Sequence, residues 1–223
     1  MDNNKKIISF SLWGDNPKYT LGAIKNAELA ITIYPNWICR YYIGLSTPTE
    51  IVNELKHIDN TEIIIMNEQG EWNSMFWRFL PIGDDDVDIM LSRDCDSRLS
   101  IREKLCVDEF INSDKMFHNM IDHPFHNGIM GGMWGAKKGI LKNIKELIDN
   151  WPKTNQWQTD QSFLNTIINP MIGDNIFIHD SINKRNFPIK RKDYEYVGES
   201  YNGYGERSEH WSVFTFPEYK HLD

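Results

Sequence analysis

Two aspartates one residue apart, Asp94 and Asp96 in the run Arg93-Asp94-Cys95-Asp96-Ser97-Arg98, are the clearest chemical unit in this chain. In extended or turn geometry both carboxylates can converge on one cation. Hard oxygen ligands suit Mg2+ or Mn2+, which complete their shells with water and substrate phosphate. The chemistry on offer is therefore the bridging of a diphosphate; the plainer reading is a solvated acidic turn. Asp84-Asp85-Asp86 is more acidic still, but it comes before an apolar strand where Asp94 and Asp96 come after it, so it reads as a solvated loop.

Four other places could join that chemistry. Arg78 is the single cation of residues 72–80, amid Met75, Phe76, Trp77 and Phe79. A guanidinium in such surroundings needs an anion, because leaving it unpaired is costly; the acidic loop, a donor diphosphate and a structural partner all qualify. Asp122-His123-Pro124-Phe125-His126 leads into Gly128-Ile129-Met130-Gly131-Gly132-Met133-Trp134-Gly135. Glycines let backbone approach a ligand, and the adjacent Trp, His and Asp offer a stacking face and hydroxyl partners, a credible shelf for a sugar. Asp160, in Thr159-Asp160-Gln161, either caps the helix that follows or aims a carboxylate from its start. His179 ends an apolar strand, where it is either a further metal ligand or a partly exposed polar residue.

The elements that must position these groups alternate. Residues 7–12 read as a buried strand, and 19–33 as a helix with Leu21, Ile24, Ala27, Ala30 and Ile31 on one face. A strand at 37–45, a helix at 49–57 and a strand at 62–66 follow. Residues 72–80 read as an apolar helix and 87–92 as the next strand. Ser100-Ile101-Arg102-Glu103 has the form of a capping box opening a helix. Amphipathic helices are expected over 140–151 and 163–168, and a last strand over 176–178. Alternation of this kind predicts an α/β fold, one domain over residues 1–223 with a mostly parallel central sheet flanked by helices. Ligands then sit beyond the carboxyl ends of the strands, where Asp94 and Asp96 fall.

Composition narrows the partners. A formal charge of −8 disfavours nucleic acid and anionic membranes, so a polyanionic partner must be small or bridged by metal. The amino-terminal Met-Asp-Asn-Asn-Lys-Lys leads into an apolar run too short for a secretory signal or a membrane span, which predicts a cytoplasmic protein. Cys39, Cys95 and Cys106 lack Cys-x-x-Cys spacing and read as buried thiols.

In their order, these pieces resemble the small GT-A glycosyltransferases, notably the chlorovirus enzymes that decorate capsid proteins and their bacterial relatives. The matching segments are Ser11-Leu12-Trp13-Gly14, Phe76-Trp77-Arg78-Phe79, the run from Ser92 to Arg98, Asp122-His123-Pro124 with Gly131-Gly132-Met133-Trp134-Gly135, and Thr159-Asp160-Gln161. The resemblance implies a single GT-A (Rossmann-like) domain transferring a sugar from a nucleotide sugar, with a UDP-sugar as the expected donor, to a glycan or glycoprotein acceptor, in the host cytoplasm for a viral member. Leu12, Trp13, Gly14 and Tyr19 would line the nucleotide pocket with Arg78, Arg93 and Asp94. Asp122, His123, Gly131, Gly132, Trp134, Asp160 and Gln161 would hold donor and acceptor sugars. Asp94 and Asp96 would hold Mn2+ or Mg2+ with His179, although the longer glycine and lysine motif that surrounds such a histidine in retaining families is absent. Asp160-Gln161 looks like the Asp-Gln element of retaining members, with Asp160 and Arg78 as the catalytic pair. The rivals are a sugar nucleotidyltransferase, which normally opens on a Gly-rich basic loop unlike Trp13-Gly14-Asp15-Asn16-Pro17, and a catalytically inactive sugar-binding module.

Overall fold

The structure is a computed structural model that describes residues 5–183, 187–219 and 222. The first four residues of the amino-terminal run therefore lie outside the described part. β1 (Lys5–Leu12) is buried from Ile7 onward, the pattern of a central strand covered on both faces. It pairs in parallel with β2 (Ile38–Ile43) on one side and β4 (Val87–Ser92) on the other, and β2 pairs with β3 (Thr61–Ile65). The sheet has seven strands in the order β3-β2-β1-β4-β6-β5-β7. β5 (Phe117–Ile121) and β7 (Ile176–Asp180) are parallel to each other, while β6 (Trp134–Lys137) runs antiparallel between β4 and β5. The expected mostly parallel α/β sheet is what forms.

Period-two alternation sorts β1 and β4 between two cores. Ile8, Phe10, Leu12 and Leu91 face α1 (Pro17–Ile33), α2 (Thr49–Lys56) and α3 (Ile101–Asn112) through Ala23, Ala27, Leu55 and Val107. Ile7, Val87 and Met90 face the opposite layer with Phe76, Phe79, Trp134, Ile144 and Phe163. That layer contains a 3-10 segment (Trp72–Gly83), α4 (Ile144–Asp149) and α5 (Thr159–Phe163), which runs on through a π turn (Leu164–Ile168) into α6 (Asn169–Ile172).

Local chemistry explains the ends. Asn16 Oδ1 accepts from Lys18 N at 3.0 Å, and Pro17 supplies a preset first turn for α1. Ser100 Oγ accepts from Glu103 N at 3.2 Å, but the box does not close, because the Glu103 carboxylate is taken by Arg93 and Tyr34. The apolar stretch at 72–80 coils as a 3-10 segment and carries Pro81 inside it, and α4 covers only the centre of the helix expected over 140–151. Among the described residues no helix is long and apolar enough to cross a membrane. All three cysteines are buried free thiols.

Candidate active site

A cleft of about 400 Å³ opens at the carboxyl ends of β1 and β4. The β1 end supplies Leu12, Trp13 and Gly14, α1 supplies Tyr19, and the loop after β4 supplies Asp94, Cys95 and Asp96. Ser11 Oγ accepts from Arg78 N at 3.1 Å and donates to Met75 O at 3.3 Å, so the 3-10 segment is clipped to the end of β1 and Arg78 is set against the cleft.

Arg78 is the hinge of the arrangement. Its Nη1 donates to Asp94 Oδ1 and its Nη2 to Asp160 Oδ2, the latter at 2.7 Å. Burial works against the guanidinium charge, but Asp94 and Asp160 outweigh it and raise its pKa. Asp160 is 1% exposed, and burial raises its carboxyl above the ordinary range against the pull of Arg78. Asp160 lies in the first turn of α5, where the helix amino terminus favours a negative charge. Arg78 Nε and Asp160 Oδ1 are buried with no hydrogen-bond partner.

Asp96 pairs with Lys18 Nζ at 2.7 Å. Burial, and then the neighbouring charge of Asp94, raise the Asp96 carboxyl; Lys18 opposes them. The glycine pair is there to let these groups meet. Ser92 Oγ bonds Gly131 O at 2.6 Å, which seats residues 131–132 on the end of β4. A Cβ on Gly131 would strike the Asp160 carboxylate and lie 2.5 Å from Arg78 Nη2. One on Gly132 would strike the Asp94 carboxylate and lie 3.0 Å from Asp94 N.

Leu12, Trp13, Gly14, Tyr19, Arg78, Asp94, Asp96, Gly131, Asp160 and Gln161 thus share one cleft. Six other expected positions do not line it, among them Gly132, which packs against Asp94 from outside the lining. Arg93 is 1% exposed and donates through Nε to Glu103 at 2.8 Å and through Nη1 to the Trp134 carbonyl at 3.0 Å, so it braces the sheet and not a nucleotide. Trp134 is fully buried, stacked on Phe117 with ring centroids 5.1 Å apart. Asp122 is held by Arg102 and Arg191, and His123 is buried against Tyr196 and Phe214. His179 bonds His118 at 2.9 Å and Glu109 at 2.9 Å and is not beside the two aspartates. Among the described residues no cluster of three or more His, Cys, Asp or Glu side chains is gathered to hold a metal.

Sequence reasoning passed over Asp15, Trp72, Trp157 and Gly198 and named His126, Met130 and Met133 only as parts of the glycine shelf; all of them line the cleft. His126 had a signal in its place beside the glycine run. Its Nδ1 accepts from Asp122 N at 3.4 Å, and burial lowers its pKa to about 4, so the ring is neutral with its proton on Nε2. The cleft then holds four carboxylates, Asp15, Asp94, Asp96 and Asp160, against Arg78 and Lys18. That balance is wrong for a bare diphosphate. It suits one delivered with a bivalent cation, for which two carboxylates plus water and phosphate make an adequate oxygen set, and in this respect the residues fit the metal.

No family model matches the sequence, and no curated protein matches it. Solved structures do. A glycosyltransferase involved in glycosylation of the major capsid of PBCV-1 superposes with a TM-score of 0.52 at 19% identity, over 79% of this chain and 81% of that one. S. aureus TarS 1-349 superposes with a TM-score of 0.53 at 11% identity, over 78% of this chain and 57% of the other. The 4-diphosphocytidyl-2C-methyl-D-erythritol synthase from Anaerococcus prevotii DSM 20548 gives 0.55 at 8% identity, over 79% and 87%. The chain shares their fold.

Proposed function

We propose that this protein is a glycosyltransferase that moves a sugar from a nucleoside-diphosphate sugar, with a UDP-sugar as donor, to a glycan or glycoprotein acceptor. The observation that carries this reading is the cluster Asp94, Asp96, Arg78 and Asp160, gathered on a glycine pair at the ligand end of an α/β sheet. Asp94 and Asp96 would hold Mn2+ or Mg2+. Bound there, the cation would supply a Lewis acid opposite the leaving diphosphate.

The protein's own groups do the rest. Trp13 and Tyr19 wall the nucleoside end of the cleft. Arg78, fixed by two carboxylates, needs no reorganisation to face the charge that grows on the leaving phosphate, which is how preorganised donors lower a barrier. Asp160 has one oxygen tied to Arg78 and the other without a partner. A carboxylate so held suits contact with sugar hydroxyls and a developing positive charge better than deprotonation of an acceptor, which supports retaining transfer.

Nucleotidyl transfer is the second reading, favoured by the likeness to the Anaerococcus synthase, a nucleotidyltransferase. The loop after β1 argues against it, since Trp13-Gly14-Asp15-Asn16 has no cation and Lys18 is committed to Asp96. One experiment separates the two. The protein is incubated with Mn2+ and a panel of nucleotide sugars, or with nucleoside triphosphates and sugar phosphates. Release of nucleoside diphosphate from the first set is the expected result; release of pyrophosphate from the second would replace the proposal. Thermal shifts complete the test: UDP is expected to stabilise the fold with Mn2+ present and to lose that effect in excess chelator.

A further inference from the structure

Two indoles stand exposed at the mouth of the cleft, where water would ordinarily favour a polar side chain. Trp72 is 42% exposed and Trp157 68% exposed, and both line the cleft. They come from different elements of the same layer, and their chain segments are held together because Trp72 N donates to Asn155 Oδ1 at 2.9 Å. Trp157 precedes Gln158, whose left-handed backbone (φ 64°) turns the chain into α5 and so places Asp160 just beyond. Gln158 and Gln161 line the same cleft, and Asp160, also in its lining, has its Oδ1 buried without a hydrogen-bond partner.

We propose that Trp72 and Trp157 form the acceptor platform, and that the acceptor group they take is an uncharged pyranose. This rests on the glycosyltransferase reading and extends it. A pyranose has an apolar C–H face and a rim of hydroxyls, which matches an indole face bordered by glutamine amides. A lipid would need an aliphatic wall, and the surplus of carboxylates turns away acidic sugars. The nucleoside is assigned to Trp13 and Tyr19 on the β1 loop and α1; Trp13 packs on Gly70 beside the Trp72 segment, whereas Trp157 belongs to the stretch that carries Asp160.

The test uses the full chain with Mn2+, the nucleotide sugar that gives turnover, and a panel of uncharged p-nitrophenyl glycosides as acceptors. Variants are Trp157→Ala, Trp157→Phe and Trp72→Ala, with Tyr204→Ala, 92% exposed and outside the cleft lining, as control. For the two alanine variants the acceptor KM should rise about tenfold or more, with donor KM changed less than twofold. Trp157→Phe should recover most of the loss, and the control should match the parent. An equal rise in donor KM would assign the rings to the nucleoside and overturn the proposal. So would an unchanged acceptor KM, or release of the donor sugar to water with none of the glycosides used. A parent protein that releases no nucleoside diphosphate from any donor fails the functional reading itself, a separate outcome from these.

Discussion

Asp96 is expected to carry the metal dependence by position and not by charge alone, and Asp85 supplies the comparison. Asp85 sits in the acidic run at the amino end of β4, where Asp84 pairs with Arg40 and Asp86 with Lys5, at the opposite end of the strand from the cleft. Asp96→Asn should lower transfer on the order of 100-fold or more and abolish Mn2+-dependent stabilisation by UDP, while Asp85→Asn stays within about twofold of the parent in initial rate. Similar losses in both would mean that the acidic loop acts through general electrostatics. A second expectation concerns Asp160. NMR of the fresh product should show the donor's anomeric configuration retained, and an inverted linkage would instead make Asp160 the leading base, whose removal costs on the order of 100-fold to 10,000-fold. Asp94, Asp96, Arg78 and Asp160 were legible because each follows a strand, begins a helix or stands alone in an apolar run. Arg93 was not. Neighbouring side chains on an extended backbone point to opposite faces, so the residue beside Asp94 turns inward, and only the position of α3 reveals Glu103 as its partner.

At the scale of elements, the edge of the sheet is tied together by histidines. His118 on β5 and His179 on β7 share a hydrogen bond, and His179 reaches Glu109 on α3. Burial, then the nearby His179, hold His118 well below the ordinary histidine pKa, and burial also lowers His123, His126 and His179. In the unfolded chain these rings titrate near 6.5, so as pH falls below that value the unfolded state binds more protons and stability drops. The raised carboxyls of Asp96, Asp160 and Glu199 act with the opposite sign as acid protonates them. Urea unfolding at pH 7, 6 and 5 should show stability declining over that range. His118→Asn should flatten the decline by up to ~1.4 kcal/mol per pH unit, whatever it does to stability at pH 7. An unchanged slope would show that the ring is not neutral when folded. The strand carrying His118 was invisible in the sequence, as was β6: Trp134–Lys137 has four residues, two of them glycine and alanine, too few for a period-two signal. The parallel strands beside α1 and α2 were legible because each is a longer apolar run closed by turn residues.

For the whole molecule, the decisive contact is one that the sequence assigned to sugar binding. Asp122 is fully buried and accepts from Arg102 at 2.7 and 2.8 Å, from Arg191 at 2.6 Å and from Val197 N at 2.9 Å. It clasps residues 191–197 onto α3 and β5, beyond which Gly198 enters the cleft and Tyr201 N bonds Asp96 O at 2.8 Å. Asp122→Ala should cost about 3–5 kcal/mol in urea unfolding, as breaking a buried pair does, and should speed tryptic cleavage around Lys190, Arg191 and Lys192. Equal cleavage rates in parent and variant would show that the clasp does not hold the segment. The place of β6 has a consequence for the protein while it is being made. Both strands that flank β6 precede it in the chain, so on the ribosome β1 to β4 can assemble while the edge of β4 stands unpaired. Such an edge is open to pairing with a neighbouring chain until Trp134–Lys137 emerges and slots in. The same insertion draws Gly131 and Gly132 against Asp94 and Arg78, so the nascent polypeptide closes its exposed edge and completes the acidic cluster in one event.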